Sequence, residues 1–572
     1  MSKPTGGRGS GNNYWLSLNT RVQYDFNIDK HAITAMVGHE AQYYAYNGFS
    51  ANGQGYSTNS IQELSVASAI INLPTSYRGD GATESYFGRL NYTYDNKYIA
   101  QFVVRRDGSS NFGPNNRFGT FPAVSVAWKI SEESFMKNLN FLNDLKLRGE
   151  YGISGNSGSG GAIYSNLYPS ATVWGSGFLP SNFPNPDLKW EQDKSTNVGL
   201  DMHMFNNRIE VIADAYRKDI SNLILSASGP GYLGGYLSGG YGGQLSWPKL
   251  NYGSMYNKGF GVTINTVNIS KKDFQWKTGI NFSMDRNKIT KLTSTIFTQY
   301  YSSTNNTQAE FVTQEGQPIS MITGYIAEGL FSDYKDIEGH AVQTGPLGSP
   351  KVIDPVKGSW PGDVKFKDIN GDGVVDNNDR TIIGNPWPKF SYNFTSNFTY
   401  KGFELNLFFA GVYGNKLLNL TRYQNETLPL GRGPYSNHFV NATNFAVPSS
   451  LDPADALTVT LTNPGYNIQR PTGSDANGSV RLTQWNIENG SYLKLKNARI
   501  SYRIPSKLLS ATHVIRGALA TFQVQNVFTI TKYTGYDPEV GMYSYSGVNL
   551  VGLDEGRYPS TRSYSLSISL DF

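Results

Sequence analysis

The last ten residues, Ser563 to Phe572, read SYSLSISLDF and alternate without a break. Tyr564, Leu566, Ile568, Leu570 and Phe572 fall on one face of an extended strand, while Ser563, Ser565, Ser567, Ser569 and Asp571 fall on the other. A chain that ends on an aromatic residue in mid-strand departs from the frayed polar tail of most soluble domains. The same period of two recurs upstream. In FQWKTGINFSMD, Phe274, Trp276, Ile280, Phe282 and Met284 oppose Gln275, Lys277, Asn281, Ser283 and Asp285. YNFTSNFTY (392–400) and NVGLDMHM (197–204) repeat the pattern. No long stretch carries the 3.6-residue period of an amphipathic helix.

The connections constrain the fold further. Tight turns are expected at Asp95 to Lys97, at Asn206 and Asn207, around Lys271 and Lys272, and at Lys401 and Gly402, where Gly and Asn permit positive φ. Between these hairpins lie long spans rich in Gly, Ser, Asn and Tyr at 47–83, 155–195, 220–256, 333–389, 414–490 and 528–560. Short and long connections therefore alternate, as in outer-membrane barrels with short periplasmic turns and long extracellular loops.

Composition agrees. Aromatic residues are 13% of the chain and charged residues 16%, with hydrophobic residues at a modest 38%. No run approaches the roughly 18 apolar residues of a membrane-spanning helix, which excludes an α-helical membrane protein and leaves a barrel untouched. A formal net charge of +5, without a Lys/Arg stripe, gives no reason to expect a nucleic-acid partner. The absence of Cys excludes thiol catalysis, Cys-ligated zinc and disulfide scaffolds.

The fold class expected is therefore all-β, a transmembrane antiparallel barrel. Residues 1–13 read as a flexible tail and 14–572 as barrel. Counting strands back from a periplasmic carboxyl terminus gives about 17, odd where bacterial single-chain barrels are even. With no apolar signal core in MSKPTGGRGSGNNYW, either a signal has been removed or the sequence begins inside a longer protein. A soluble sandwich, propeller or β-helix is the competing fold, since alternation alone does not distinguish lipid from a soluble core.

Eight segments, in order along nearly the whole chain, carry a resemblance. Among them are SYFGRLNYTYDNKYIAQFVVRRDGSSNFGPNNRFGTFPAVSVAW (85–128), NPDLKWEQDKSTNVGLDM (185–202), PGDVKFKDINGDGVVDNNDRTIIGNPWPKFSYNF (361–394), QNVFTITKYTGYDPEV (525–540) and YPSTRSYSLSISLDF (558–572). The chain resembles the SusC/RagA-like TonB-dependent outer-membrane transporters of Bacteroidetes. The resemblance implies part of a plugged barrel of roughly 22 strands, no enzymatic activity, and a SusD-like surface lipoprotein as partner. It implies glycans, or else oligopeptides, as cargo, and TonB acting only through a plug and TonB-contacting segment not found in these residues. It also implies that the terminal strand, Tyr564 to Phe572, is read by the barrel-assembly machinery. The alternative function is a passive pore or a surface binding and display protein.

Local chemistry is sparse. DINGDGVVDNND fits the acid-rich calcium-loop template, with Asp368, Asn370, Asp372, the Val374 carbonyl, Asp376 and Asp379 at ligand positions and Gly373 at the sharp turn. Asp379 stands where a bidentate Glu is usual. No cofactor is required, and two readings stay open: a structural Ca²⁺ or Mg²⁺, or an Asx- and Gly-rich turn without an ion. Tyr232, Tyr236, Tyr241, Trp247 and Trp360 in the long spans suit stacking on sugar rings, or simply pack their loops. Arg105, Arg106 and Arg117 read as lumen-filling charges rather than a ligand site. GPGYLG (229–234) lacks the helix a dinucleotide site needs. The six His are scattered, with no HExxH or GxSxG pattern.

Overall fold

A computed structural model describes residues 4–572, apart from 58–59, 61–62, 72–73, 159–166, 173–174, 181–182, 227–247, 302–307, 344–348, 427–443, 466–467, 473, 510–513 and 546–547. Fifteen long strands in chain order, with the short Ala69–Ile70 on a flank, make a 16-stranded sheet. They are β1 (Thr5–Ile28), β2 (His31–Gln54), β3 (Thr75–Tyr94), β4 (Tyr98–Ser109), β5 (Phe118–Lys129), β6 (Leu142–Asn156), β7 (Glu191–Met204) and β8 (Ile209–Ser221). There follow β9 (Ser254–Ser270), β10 (Phe274–Lys291), β11 (Phe390–Tyr400), β12 (Phe403–Tyr413), β13 (Tyr492–Ile504), β14 (Gly517–Thr531) and β15 (Ser563–Asp571). Compactness divides the chain into Met1–Met202 with Asp214–Asn257, and His203–Ala213 with Lys258–Phe572. Among the described residues no helix is long and apolar enough to cross a membrane.

The short turns lie where the sequence places them. Asp95 and Asn96 have φ of 50° and 55°, Asn206 and Asn207 of 58° and 60°, and Lys401 and Gly402 of 44° and 89°. These are left-handed conformations that Asn, Asp and Gly adopt at little cost. Long connections alternate with them over most of the chain, except that 110–117 is shorter than 130–141 and 505–516 on the other side.

Two expectations are corrected. Thr5 to Asn13 is strand rather than tail, paired with Gln54 to Tyr46 of β2. Its glycines hide it from a propensity reading, yet they let Tyr56 lie against Gly6 and Tyr77 against Gly11 and Gly48, aromatic cover that a side chain there would obstruct. Among the described residues the path through the sheet runs over fifteen long strands, where about 17 were expected. Ile296–Tyr301 and Gln308–Thr313 alternate like spanning strands but join Met321–Gly324 and Thr381–Gly384 in a separate four-stranded sheet.

Alternation along the strands sorts the side chains into two kinds of surface. In the first unit Leu90, Phe102 and Val124 stand opposite one another on β3, β4 and β5, and all three are exposed. On the opposite face Ser125 donates to Gln101. In the second unit Ile500, Phe522 and Leu566 form an exposed row across β13, β14 and β15. The adjacent row, Ser501, Thr521 and Ser567, is polar. An apolar row in the open backed by a polar row on the other face inverts a soluble protein and fits a lipid-facing sheet.

The apolar core of the second unit sits in its connections. Tyr300, Phe311, Ile322, Leu418, Leu420, Leu482, Leu550 and Leu553 make one cluster, and Tyr325, Ala327, Val364, Phe366 and Val375 another. The described parts of these second-unit connections thus carry cores of their own.

Candidate functional site

The inner face of the first unit is lined with paired charges. Arg105 Nη2 lies 3.2 Å from Glu40 and donates to Ser85 Oγ at 2.9 Å, while its Nε reaches Asp107 at 2.5 Å. Arg148 Nη2 reaches Asp201 at 2.9 Å and Asp214 at 3.1 Å, and Lys146 reaches Asp201 at 2.7 Å. These pairs neutralise one another, as expected of lumen-filling charges. Of the three arginines singled out, Arg105 alone joins these pairs among the described residues; Arg106 points to the other face, over the Phe118 ring at 5.3 Å.

In the second unit the connections 292–389 and 414–491 are bound together by backbone bonds, such as Tyr325 N–H to the Leu482 carbonyl at 2.8 Å and Arg470 N–H to the Gly362 carbonyl at 2.9 Å, and by side chains that add to them. Gln484 exchanges both hydrogen bonds with Ala327, donating to its carbonyl at 2.7 Å and accepting from its amide at 2.8 Å. Asn477, almost wholly buried, accepts from Gln343 at 2.8 Å and Ser359 at 2.5 Å and donates to the Val364 carbonyl at 2.9 Å. Buried polar groups so fully satisfied fix one arrangement of two segments far apart in sequence.

A buried ion pair adds to this. Arg470 donates from Nη2 to Asp363 Oδ2 at 3.0 Å and to the Pro355 carbonyl at 2.9 Å, with Nε 2.8 Å from Asp363 Oδ1. Burial pushes the Asp363 carboxyl up to about 6, against the pull of the Arg470 guanidinium and the Trp360 N–H. Nearer the outer ends of β13 and β14, buried Lys494 binds Glu539 at 2.7 Å and Asp537 at 3.1 Å. Burial works to raise both carboxyls, but hydrogen bonds to Asp537 from Ser560, the Glu539 backbone and Lys494, and to Glu539 from Lys494 and Lys496, hold both below the ordinary range.

Between these braces is a cavity of about 190 Å³ lined by Arg422, Tyr423, Gln469, Arg481 and Trp485 among others. Residues of four separated stretches build it, so no local signal in the sequence announces it.

The acid-rich loop is well ordered by its own backbone. Asp368 accepts from Gly371 at 2.7 Å and Gly373 at 2.8 Å, Asn370 from the Asp372 amide at 3.0 Å, Asp372 from Val374 at 2.9 Å, and Asp376 from Asn378 at 2.7 Å. Fully buried Asp379 accepts from Ile369 and Asp376, both at 2.7 Å. Gly371 and Gly373 take φ of 74° and 87°. Among the described residues no three acidic or His side chains converge to hold an ion. These bonds build an Asx- and Gly-rich turn. Asp379→Ala, which strands two short N–H donors, is expected to destabilise this loop by about 2 kcal/mol, read as faster amide exchange at 368–379; unchanged exchange would show the carboxylate to be dispensable.

The aromatic residues suggested for sugar stacking do not form a described surface. Trp360 is wholly buried and donates its indole N–H to the Ser450 carbonyl at 2.9 Å, so its faces are occupied by the protein. Tyr232, Tyr236, Tyr241 and Trp247 lie outside the described residues. Tyr564, Leu566, Ile568, Leu570 and Phe572 are all exposed on β15 and its end.

The family model described as TonB dependent receptor-like, beta-barrel, matches residues 2–527. The chain belongs to that family. This TonB-dependent receptor barrel is 31% identical over 96% of its length to TonB-dependent receptor P3 of Formosa agariphila, of which it covers 52%. It is 29% identical over 98% of its length to TonB-dependent receptor SusC of Bacteroides thetaiotaomicron, of which it covers 50%. A solved structure of the RagAB peptide transporter superposes with a TM-score of 0.76 at 26% identity, covering 99% of this chain and 56% of that one. The receptor barrel is thus SusC/RagA-like and spans about half the length of the curated relatives it matches. Proteins of this family are outer-membrane receptors and transporters, not enzymes. The soluble all-β alternative falls with that assignment.

Proposed function

We propose that this chain supplies most of the barrel of an outer-membrane importer of oligomeric nutrients, glycans or oligopeptides, in a Bacteroidetes-like bacterium. The observation carrying the reading is the pairing of an exposed apolar strand face with outer connections that are rigidly cross-braced and enclose a cavity. Lipid takes the first and a nutrient the second. A SusD-like lipoprotein would cover the outer mouth, and TonB would act through a plug belonging to the whole transporter. The RagAB neighbour is named for peptides, which supports the peptide arm; the resemblance to SusC-like transporters supports the glycan arm.

The test is growth of a host lacking the gene on defined glycan or peptide pools as sole nutrient. Loss of growth on one pool, restored by the gene and dependent on TonB, is the expected result. Growth restored without TonB would instead indicate a passive pore, and no growth defect on any pool a binding or display protein.

In the same reading the acid-rich loop braces the substrate-facing surface and needs no Ca²⁺ or Mg²⁺. Chelation with EDTA is expected to leave its amide exchange unchanged, and faster exchange would put an ion in the loop. The terminal strand serves assembly: deletion of Phe572 is expected to lower the outer-membrane level of folded protein several-fold, and an unchanged level would remove that role.

A further inference from the structure

The cavity between the braced connections holds an arginine without a counter-ion. Two guanidiniums flank the ring of Tyr325, Arg380 at 5.7 Å and Arg481 at 5.1 Å. Arg380 has its carboxylate, with Nη1 2.7 Å from Glu310 Oε2. Arg481 also lies 5.2 Å from the Phe366 ring centre, but among the described residues its side chain has no ion pair or hydrogen bond, and its Nη1 is buried without an acceptor. Aromatic faces hold the guanidinium in place; they do not satisfy its N–H groups.

A second donor shares that condition. Gln469 is only 7% exposed and lines the same cavity, yet its Nε2 is buried with no acceptor. Native proteins leave few buried donors unmade, and each such exception calls for a reason. Here two of them occur on one cavity.

The remaining charge on the wall is balanced. Arg422 Nε donates to Glu426 at 2.8 Å, and its Nη1 lies 3.5 Å from Glu488. With Arg422 answered by Glu426 and Glu488, Arg481 is the cation on the lining that no described carboxylate meets.

We propose that this cavity binds the side-chain carboxylate of an acidic peptide, held by Arg481 and Gln469 after a small turn of each side chain, beside Trp485. The volume of about 190 Å³ is below the range of a drug-sized ligand site and suits one amino-acid side chain. A carboxylate on a flexible aliphatic stem reaches buried donors, whereas the carboxylate of an acidic sugar brings its whole ring with it. That geometry favours the peptide. The proposal rests on the importer reading only for the origin of the peptide.

The test titrates the full chain in detergent with end-blocked Ala-Glu-Ala-Ala, its Ala-Gln-Ala-Ala counterpart, and trigalacturonate. The glutamate peptide is expected to bind roughly tenfold or more tighter than the glutamine peptide, in line with a charge-assisted bond to Arg. Arg481→Gln should abolish that preference, and Gln469→Leu should weaken glutamate-peptide binding about tenfold. Arg481→Lys keeps the charge without the fork, and retains part of the preference even if the Gln variant folds poorly. Equal affinity for the two peptides, a preference that survives both Arg481 variants undiminished, or tighter binding of trigalacturonate would each overturn the proposal. Binding as expected without uptake in cells leaves the carboxylate site standing and refutes import; peptide uptake with no preference for glutamate does the reverse.

Discussion

Arg470→Met is expected to cost about 3–5 kcal/mol of stability at pH 8, the usual penalty for stranding one partner of a buried ion pair, and only about 1 kcal/mol at pH 5. The asymmetry follows from Asp363, whose carboxyl is pushed from its ordinary 3.8 up to about 6 in the folded chain. A folded value above the unfolded one means the folded state binds the extra proton between those limits. The stability linked to that proton is fully present below about 4 and is lost as pH rises through about 6. Removing the Arg470 guanidinium takes away the main force opposing the rise, so the window moves to still higher pH. At pH 5 the carboxyl of the variant is neutral and still accepts from the Trp360 amide, 2.8 Å away. At pH 8 it must either carry an unpaired buried charge or hold its proton against the solution. Amide exchange at Val364 and Phe366, on the segment that Asp363 anchors, reads the difference directly. Equal losses at the two pH values would mean that packing and the Pro355 bond, not charge, account for the role of Arg470.

That pair also shows where sequence reading stops. Asp363 and Arg470 are 107 positions apart, and although Asp363 opens one of the segments that carry the resemblance, nothing local in either stretch announces the pair. The same holds for Gln484 with Ala327 and for the cavity residues Arg481 and Gln469. Each depends on where two long connections meet, which local patterning does not encode. The strands are different, because alternation and turn chemistry are local: Asn206, Asn207, Lys401 and Gly402 mark their hairpins through backbone preference alone. Local evidence fails where tertiary pairing overrides it. Thr5 to Asn13 is too rich in glycine to look like a strand, and Ile296–Tyr301 looks like a spanning strand but pairs in a small separate sheet. The acid-rich loop lies between these cases. Its turn was legible from Gly and Asx spacing, and which backbone N–H groups each carboxylate meets came only with the side-chain directions.

Two neighbouring substitutions on β15 separate lipid from water as the medium around the apolar face. Leu566 is 76% exposed, so in an aqueous sheet Leu566→Arg would change stability by less than about 0.5 kcal/mol and improve solubility. In a bilayer the same change places a guanidinium among acyl chains, at a cost of about 2–4 kcal/mol near the midplane that falls towards the interfaces. Ser567 is the next residue, on the opposite face, in the row with Thr521 and Ser501, and Ser567→Arg meets a polar, wet surface in either medium. The expected result is a loss of folded protein from the outer membrane for Leu566→Arg and near-normal levels for Ser567→Arg. The contrast between adjacent positions matters more than either value, since strand propensity, chain length and expression are shared. Were both variants tolerated, the exposed row Ile500, Phe522 and Leu566 would have to be covered by protein instead of lipid, because so continuous an apolar strip does not stand open in water.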